Sequence, residues 1–501
     1  MSSDDEPAAG LLSLPAELLL GIQSLLEPLD VAALQSTCTT LQGPSICRAV
    51  WLNTLRQVMD RNDVFTPTFP LDEMTISELR YAAIRPQVFL RRLKRCASEA
   101  VDAIGYLKYS ALRAIDLYWP THPEHVEEHI WSVILLPGGR YLLVVTHLNL
   151  YVHDLGQCTG SLKQEPIFVL PKADLQPVAQ GIGWALDFHV VDGNDILLFF
   201  SAPLPFDIAS HSPTSIIVYK IYDVPLAPKG EQIACLTLPD SNIVRLNSSY
   251  LPTRRVAFTI EPNIIGVWDY ENNNIALWNC PDNWCLAGEL CVMTPNRIIL
   301  RNHKSGLLVY DIPPLLPVSS ALAPRYRAPI RTLDDPGRNL RIHTLYHRSS
   351  GAFIFDFYLV NLLGGKLVRY RIAEIQDDSG SYMGPIRHAC FPWLEDQFGD
   401  DNPLPLRALE GTTVATVYDG GHEDLSFDED TVHSTIHIED RDPHSEDEGE
   451  GNACLVKLLD RRDPVWANRK LGKVDFCPAS GRLCELDGTR LLVFDYLPPP
   501  S

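Results

Sequence analysis

No run of apolar residues in this chain reaches the length of a membrane span, and the opening residues, SSDDEPAAG, have neither the positive nor the apolar region of an export signal. A soluble protein is therefore expected. Basic residues are few, 42 against 63 acidic ones, a formal charge of −21. A chain that neutralises phosphates needs a basic face, so neither a nucleic-acid nor an acidic-membrane partner is expected. The twelve cysteines include no C-x-x-C pair, which fits reduced thiols in the cytoplasm or nucleus. Catalytic signatures are missing as well: there is no G-x-S-x-G, no H-E-x-x-H and no Gly-rich phosphate loop followed by Lys-Ser or Lys-Thr. No enzyme, cofactor or metal is expected from these absences.

What is present falls into two kinds of sequence. Residues 11–59 carry Pro15 and Glu17 in a first helical turn, then Leu14, Leu18, Ile22, Leu25 and Leu26 at steps of three and four. Asp30 is placed to cap a second helix with Val31 and Leu34, and Gly43-Pro44 is expected to break the chain before a third with Ile46, Val50, Trp51 and Leu55. Residues 60–105 read as a helical linker. Thr75 to Glu78 offers a helix start, and Pro86 is expected to interrupt the helical stretch and leave a helix pair. The cluster Arg91, Arg92, Lys94 and Arg95 reads as a solvated helix face.

From about Tyr106 the chain turns to short runs rich in Val, Ile, Leu and aromatics, divided by many of its 39 prolines and 30 glycines. In Trp131 to Leu155 two apolar strands flank a Pro-Gly-Gly turn and a third ends in Val-x-Asp. That ending recurs, in strict or loose form, at Val152-His153-Asp154, Val218-Tyr219-Lys220, Val267-Trp268-Asp269, Val309-Tyr310-Asp311, Val368-Arg369-Tyr370, Val417-Tyr418-Asp419 and Val493-Phe494-Asp495. The spacing is uneven, from 42 residues (267 to 309) to 76 (417 to 493), so the repeat is degenerate. The third copy is the least secure, because Asn274 to Trp278 also qualifies as the strand that closes its unit. The expected fold is an α+β multidomain chain: an acidic lead (1–10), three short helices (11–59), the helical linker (60–105), then an all-β domain (106–501), a β-propeller of about seven blades with an irregular β-sandwich pair as the alternative.

Residues 420–452 hold twelve acidic residues against Arg441 alone, a net of −11, and read as a solvated, disordered loop. His422, His433, His437 and His444 lie in it, but nothing nearby supplies a Cys ligand or a rigid frame, so no metal site is assigned. Arg254 with Arg255, Arg325 with Arg327, and Arg461 with Arg462 fall between strands and are candidates for gripping an acidic or phosphorylated peptide.

The residues Leu-Pro-x-Glu-Leu at 14–18, with Ile22, Leu26, Asp30, Thr37-Cys38, Leu41 and Trp51, resemble the F-box family, and the Val-x-Asp units resemble WD-type blades. The F-box resemblance covers 11–59 only. Thr39 and Thr40 depart from it, since many members have a basic or aromatic residue there. With the Ile-Arg-Pro helix after it and the weak propeller, the chain is similar to the large fungal sets of such proteins. The resemblance implies docking to the Skp-family adaptor of a Skp-cullin-F-box ubiquitin ligase through Leu14, Pro15, Ile22, Leu25, Leu26, Leu29, Asp30 and Leu34. The β-domain would then hold a protein target. Two other classes stay open: a propeller hydrolase or lactonase, and a scaffold that uses the F-box without degradation.

Overall fold

A computed structural model describes residues 11–45, 47–99, 105–119, 128–157, 162–171, 185–191, 195–202, 214–224, 226–238, 243–248, 254–260, 263–280, 289–302, 306–320, 324–333, 342–349, 352–361, 366–375, 382–392, 406–409, 412–418, 433–438, 449–450, 453–458 and 472–499. The chain is mostly β, with helices at its N-terminal end. These are α1 (Ala16–Gln23), α2 (Pro28–Gln35), α3 (Thr39–Ser45), α4 (Arg48–Arg61) and α5 (Ile76–Glu99).

Three details of the helices differ from the sequence expectation. Residues 11–59 hold four helices rather than three, because Gly43-Pro44 stays inside α3 and the break falls after Ser45. Asp30 does not cap α2; Glu27 occupies the cap, Pro28 the first turn, and Asp30 adds its charge within that turn. Pro86 does not divide α5, which runs unbroken through it for 24 residues. Tertiary packing outweighs the lost backbone bond there: Leu79, Ala82, Ala83, Phe89 and Leu93 bury one continuous stripe on both sides of the proline. The helix starts where the sequence indicates. The Thr75 N–H donates to Glu78 Oε2 at 2.7 Å and the Glu78 N–H to Thr75 Oγ1 at 3.3 Å, a reciprocal capping box.

Among the described residues the strands form seven sheets, and the four-stranded core of each is an antiparallel meander. Sheet one is Ile130–Leu135, Tyr141–Thr146, Asn149–Asp154 and Phe168–Pro171. Sheet two is Ala185–Val191, Asp195–Ala202, Thr214–Tyr222 and Lys229–Leu238; sheet three is Ile243–Ser248, Arg255–Ile260, Ile264–Asp269 and Asn274–Asn279. Sheet four is Glu289–Met293, Arg297–Asn302, Gly306–Asp311 and Arg331–Leu333; sheet five is Ile342–Ser349, Ala352–Asn361, Lys366–Ile375 and Tyr382–Pro392. Sheet six is Leu406–Leu409, Thr412–Tyr418, His433–Ile438 and Ala453–Lys457. Sheet seven combines Lys473–Cys477, Arg482–Asp487 and Arg490–Asp495 with Ala111–Asp116, which pairs antiparallel with Arg490–Asp495.

First strands of neighbouring sheets lie beside one another, sheet one against seven, two against three, three against four, four against five and five against six. Together with a seventh sheet built from both ends of the β-region, this topology fits a β-propeller. Shared cores bind neighbours: one joins sheets one and two, a second two and three, a third three and four. The Pro-Gly-Gly turn sits between the first two strands of sheet one, with Gly138 at φ 100° and Gly139 at φ 74°. A Cβ on Gly139 would meet Ser480 Oγ at 2.1 Å, so this turn needs glycine both for its backbone and for contact with sheet seven.

Six of the seven Val-x-Asp units occupy the third strand of a sheet, which explains their recurrence. The insecure copy at Val267 is such a third strand, and Asn274–Asn279 is the fourth. The sixth copy is out of phase, since Val417 and Tyr418 end the second strand of sheet six. The third strand there is His433–Ile438, inside the stretch expected to be a disordered loop. Its alternation of His, Ser, Thr and Ile suits a pleated strand, and it pairs with both Thr412–Tyr418 and Ala453–Lys457. Of that acidic stretch only 433–438 and 449–450 are among the described residues; His422 and His444 lie outside them.

The helices share one core with sheets one and seven. Val31, Trp51, Leu55 and Phe89 belong to the same cluster as Leu135, Phe476, Phe494 and Tyr496. Phe89 of α5 lies 5.6 Å from the Phe476 ring and 6.4 Å from that of Tyr496. Each such fully buried aromatic contributes about 2–3 kcal/mol.

Candidate functional site

Helix α1 buries Leu19 and Gln23, four residues apart, and so turns the opposite side outward. Leu18 is 54% and Leu25 84% exposed. Of the eight positions that the F-box resemblance assigns to an adaptor, Pro15, Leu25 and Asp30 are exposed and Leu14, Ile22, Leu26, Leu29 and Leu34 are half-buried. None is sealed in the core. Val31 and Trp51, both at 0% exposure, do the internal packing instead, with the Arg80 guanidinium 5.9 Å from the centre of the Trp51 ring. Leu18 and Leu25 thus form an exposed apolar face, while Leu26 packs against the core.

This face is held rigidly from behind. Asn53 and Gln57 of α4 donate to the Ser24 carbonyl, at 3.4 and 2.9 Å, pinning the turn that carries Leu25. Glu27 accepts from Arg61 at 2.6 Å and from Gln87 at 2.9 Å, linking the start of α2 to α4 and α5. Gln87 also receives the Leu29 N–H at 3.3 Å.

The second candidate surface is the edge where each second strand begins and each third strand ends. There the structure shows a device that the sequence reading missed. Arg140 clasps Asp154 through two hydrogen bonds of 2.9 Å, Arg297 meets Asp311 at 3.0 Å, and Arg482 meets Asp495 at 2.8 Å. Arg255 stands opposite Asp269 in register. In sheet two the signs are exchanged, with Asp195 and Lys220 2.6 Å apart. The Arg140–Asp154, Arg297–Asp311, Arg482–Asp495 and Asp195–Lys220 pairs staple the second strand to the third, and an Arg 13 or 14 residues before Asp154, Asp269, Asp311 and Asp495 is the signal that could have revealed it.

Three of the six arginines proposed to grip a target come to this edge, but each is already engaged. Arg254 pairs with Glu271, Arg255 donates to the Pro295 carbonyl at 2.7 Å, and Arg327 donates to the Asp311 carbonyl at 3.4 Å. Arg325 lies on a short strand, Arg325–Tyr326, beside Asn274–Asn279. Arg461 and Arg462 lie outside the described residues.

At the seam between sheets seven and one the charges go inside. Asp495, 1% exposed, faces Arg482 at 2.8 Å, Arg113 of the closing strand at 3.0 Å and Arg85 of α5 at 3.6 Å. Burial alone would raise its pKa, but Arg482, Arg85 and Arg113 together hold the carboxyl below its ordinary value. Arg482 also donates to the carbonyls of Gly139 and Gly156, tying sheet seven to sheet one. His153, fully buried against Trp119 and Tyr151 with no hydrogen-bond partner on either ring nitrogen, is pushed down to about 4 by burial.

No protein-family model matches the sequence, and no curated protein matches it. The F-box resemblance therefore draws no support from comparison and stands on its residues alone. Among solved structures the chain is similar to the WD40 domain of SCAP from fission yeast, at 11% identity over 74% of this chain and 84% of that one, TM-score 0.34. It is also similar to the WD40 domain of coronin from Toxoplasma gondii, at 10% identity over 79% and 89% of the two chains, TM-score 0.38. Both neighbours are WD40 domains, and the fold assignment for this chain rests on its own strand topology.

Proposed function

We propose that this chain is a substrate-recognition subunit of a Skp-cullin-F-box ubiquitin ligase. Its N-terminal helices dock the Skp-family adaptor, its seven sheets close into a propeller that binds a protein target, and the transfer chemistry resides in other subunits. The observation that carries the reading is the outward apolar face of α1 and the turn after it. Of the residues that the F-box pattern assigns to the adaptor, none is buried and Pro15, Leu25 and Asp30 are exposed, Leu25 at 84% above all. A central anchor in such an interface is worth about 2 kcal/mol or more. The propeller contributes no catalytic residue to this reading; it offers the rim on which the arginine-aspartate staples sit.

The test is affinity purification of the tagged full-length chain, followed by mass spectrometry, for the native sequence and for Leu14→Ala with Pro15→Ala. Adaptor and cullin recovered with the native chain and lost from the double variant support the reading. Equal recovery from both, or from neither, sinks it.

A further inference from the structure

Helix α5 carries Arg85 into the interface with the sheets, where its charge meets only a shared carboxylate, Asp495, and the face of the Tyr81 ring 5.7 Å away. It is 7% exposed, and its Nε and Nη2 atoms have no hydrogen-bond partner. Its nearest carboxylate, Asp495, is 3.6 Å from Nη2, too long for a hydrogen bond, and is already held by Arg482 and Arg113. Three guanidinium groups thus converge on one carboxylate. A buried cation with unmade hydrogen bonds is costly, and such groups are almost always matched by an anion or by water.

The same residue lines a cavity of about 40 Å³ between α5 and the seam of sheets one and seven. Arg140 and Arg482 line it too, with Tyr81 and Gln157 as further polar neighbours. One carboxylate, Glu78, also lines it, but that group is engaged by the N–H and hydroxyl of Thr75 in the capping box. A water needs about 10–15 Å³ by this kind of measure, so the space takes a few waters or one tetrahedral ion, and it is too small for a segment of peptide.

We propose that this cavity binds a small free oxyanion, of the size and charge of inorganic phosphate or sulfate, with Arg85 as its principal ligand. Planar guanidinium groups suit two-oxygen contacts with such ions. Bound there, the ion joins the linker helix to both ends of the sheet region, because Arg85 belongs to α5, Arg140 to sheet one and Arg482 to sheet seven. This site is independent of the adaptor reading and of any target.

The experiment is a thermal melt of the full-length chain in low millimolar phosphate against chloride at equal ionic strength, for the native protein and Arg85→Met. Low concentration keeps the general stabilising effect of phosphate small. A Tm increment of several degrees specific to phosphate in the native chain and absent from Arg85→Met is expected, whatever the basal Tm of the variant. No increment over chloride, or an increment retained in the variant, overturns the proposal. Where Arg85→Met does not fold, calorimetric titration of the native chain with inorganic phosphate decides: one ion bound per chain supports the site, and none overturns it. A phosphoserine peptide that binds more tightly than free phosphate overturns the assignment to a free ion.

Discussion

Helix α1 and the turn after it hold leucines out to solvent, while α5 holds an arginine in. The two regions reverse the usual partition of polarity, and for different reasons. At α1 Leu19 and Gln23 take the inward side, so Leu18 and Leu25 stay exposed, an apolar cost that the proposed partner would offset. At α5 the buried Arg85 lies beside Asp495, within a seam where Arg482, Arg113 and two backbone carbonyls compete for the same space. Mutations at the first face should therefore be silent in the isolated chain and severe in a complex. Mutations at the second should be severe everywhere.

The largest effect is expected from Asp495→Asn, which leaves three arginines without their common counter-ion. Breaking a buried charge cluster in this way costs about 3–5 kcal/mol. Chemical denaturation of the full chain measures it, and a loss under about 1 kcal/mol would remove the contrast between the two regions. Next is Phe89→Ala in α5, which empties a fully buried ring site against Phe476 and Tyr496. A loss of about 3–4 kcal/mol is expected. It should appear in the same unfolding transition as the sheets, because the helices and sheets one and seven share one core. A separate, earlier transition for the helices would show instead that the linker is an independent unit.

Acid should also act on the sheet side. Because the folded His153 has its pKa lowered to about 4 by burial, the unfolded chain binds a proton there first. Stability contributed by this residue is complete above its unfolded pKa of about 6.5 and falls away as pH drops toward the folded value, by roughly 3 kcal/mol in all. His153→Leu should flatten that part of the pH–stability curve, and an unchanged slope in denaturation experiments would count against it. The smallest effect belongs to Leu25→Ser. At 84% exposure it should alter the stability of the free chain by less than about 0.5 kcal/mol. A large destabilisation there would mean that the face is covered by the chain itself.

Local chemistry made much of this architecture readable in advance. The Thr75–Glu78 capping box and the Pro137-Gly138-Gly139 hairpin each depend on a few adjacent residues, and both formed where the sequence places them. The pairing of Arg490–Asp495 with Ala111–Asp116 is the closure that the last sheet of a propeller needs. What escaped notice was set at longer range. The arginine–aspartate staples join residues thirteen or fourteen apart whose proximity exists only once a hairpin has formed, and in sheet two the pair is Asp195 with Lys220, wider in sequence and with the charges exchanged, which hides the repeat further. Pro86 stays within α5 because of the core beneath it, a fact no local propensity carries. The strand His433–Ile438 was obscured by the acidic residues on either side, although its own six residues carry no acid. Of the outward face of α1, the sequence shows which leucines share a helix side, but not that Leu19 and Gln23 would take the inward one.

The proposed function turns on whether the outward face of α1 is a docking surface. The most direct measurement is titration calorimetry of the purified full-length chain with a purified Skp-family adaptor, repeated with Leu14→Ala and Pro15→Ala together. A one-to-one complex with the native chain, weakened tenfold or more in the double variant at unchanged Tm, is predicted. No heat with the native chain, or equal affinity in both, would contradict it.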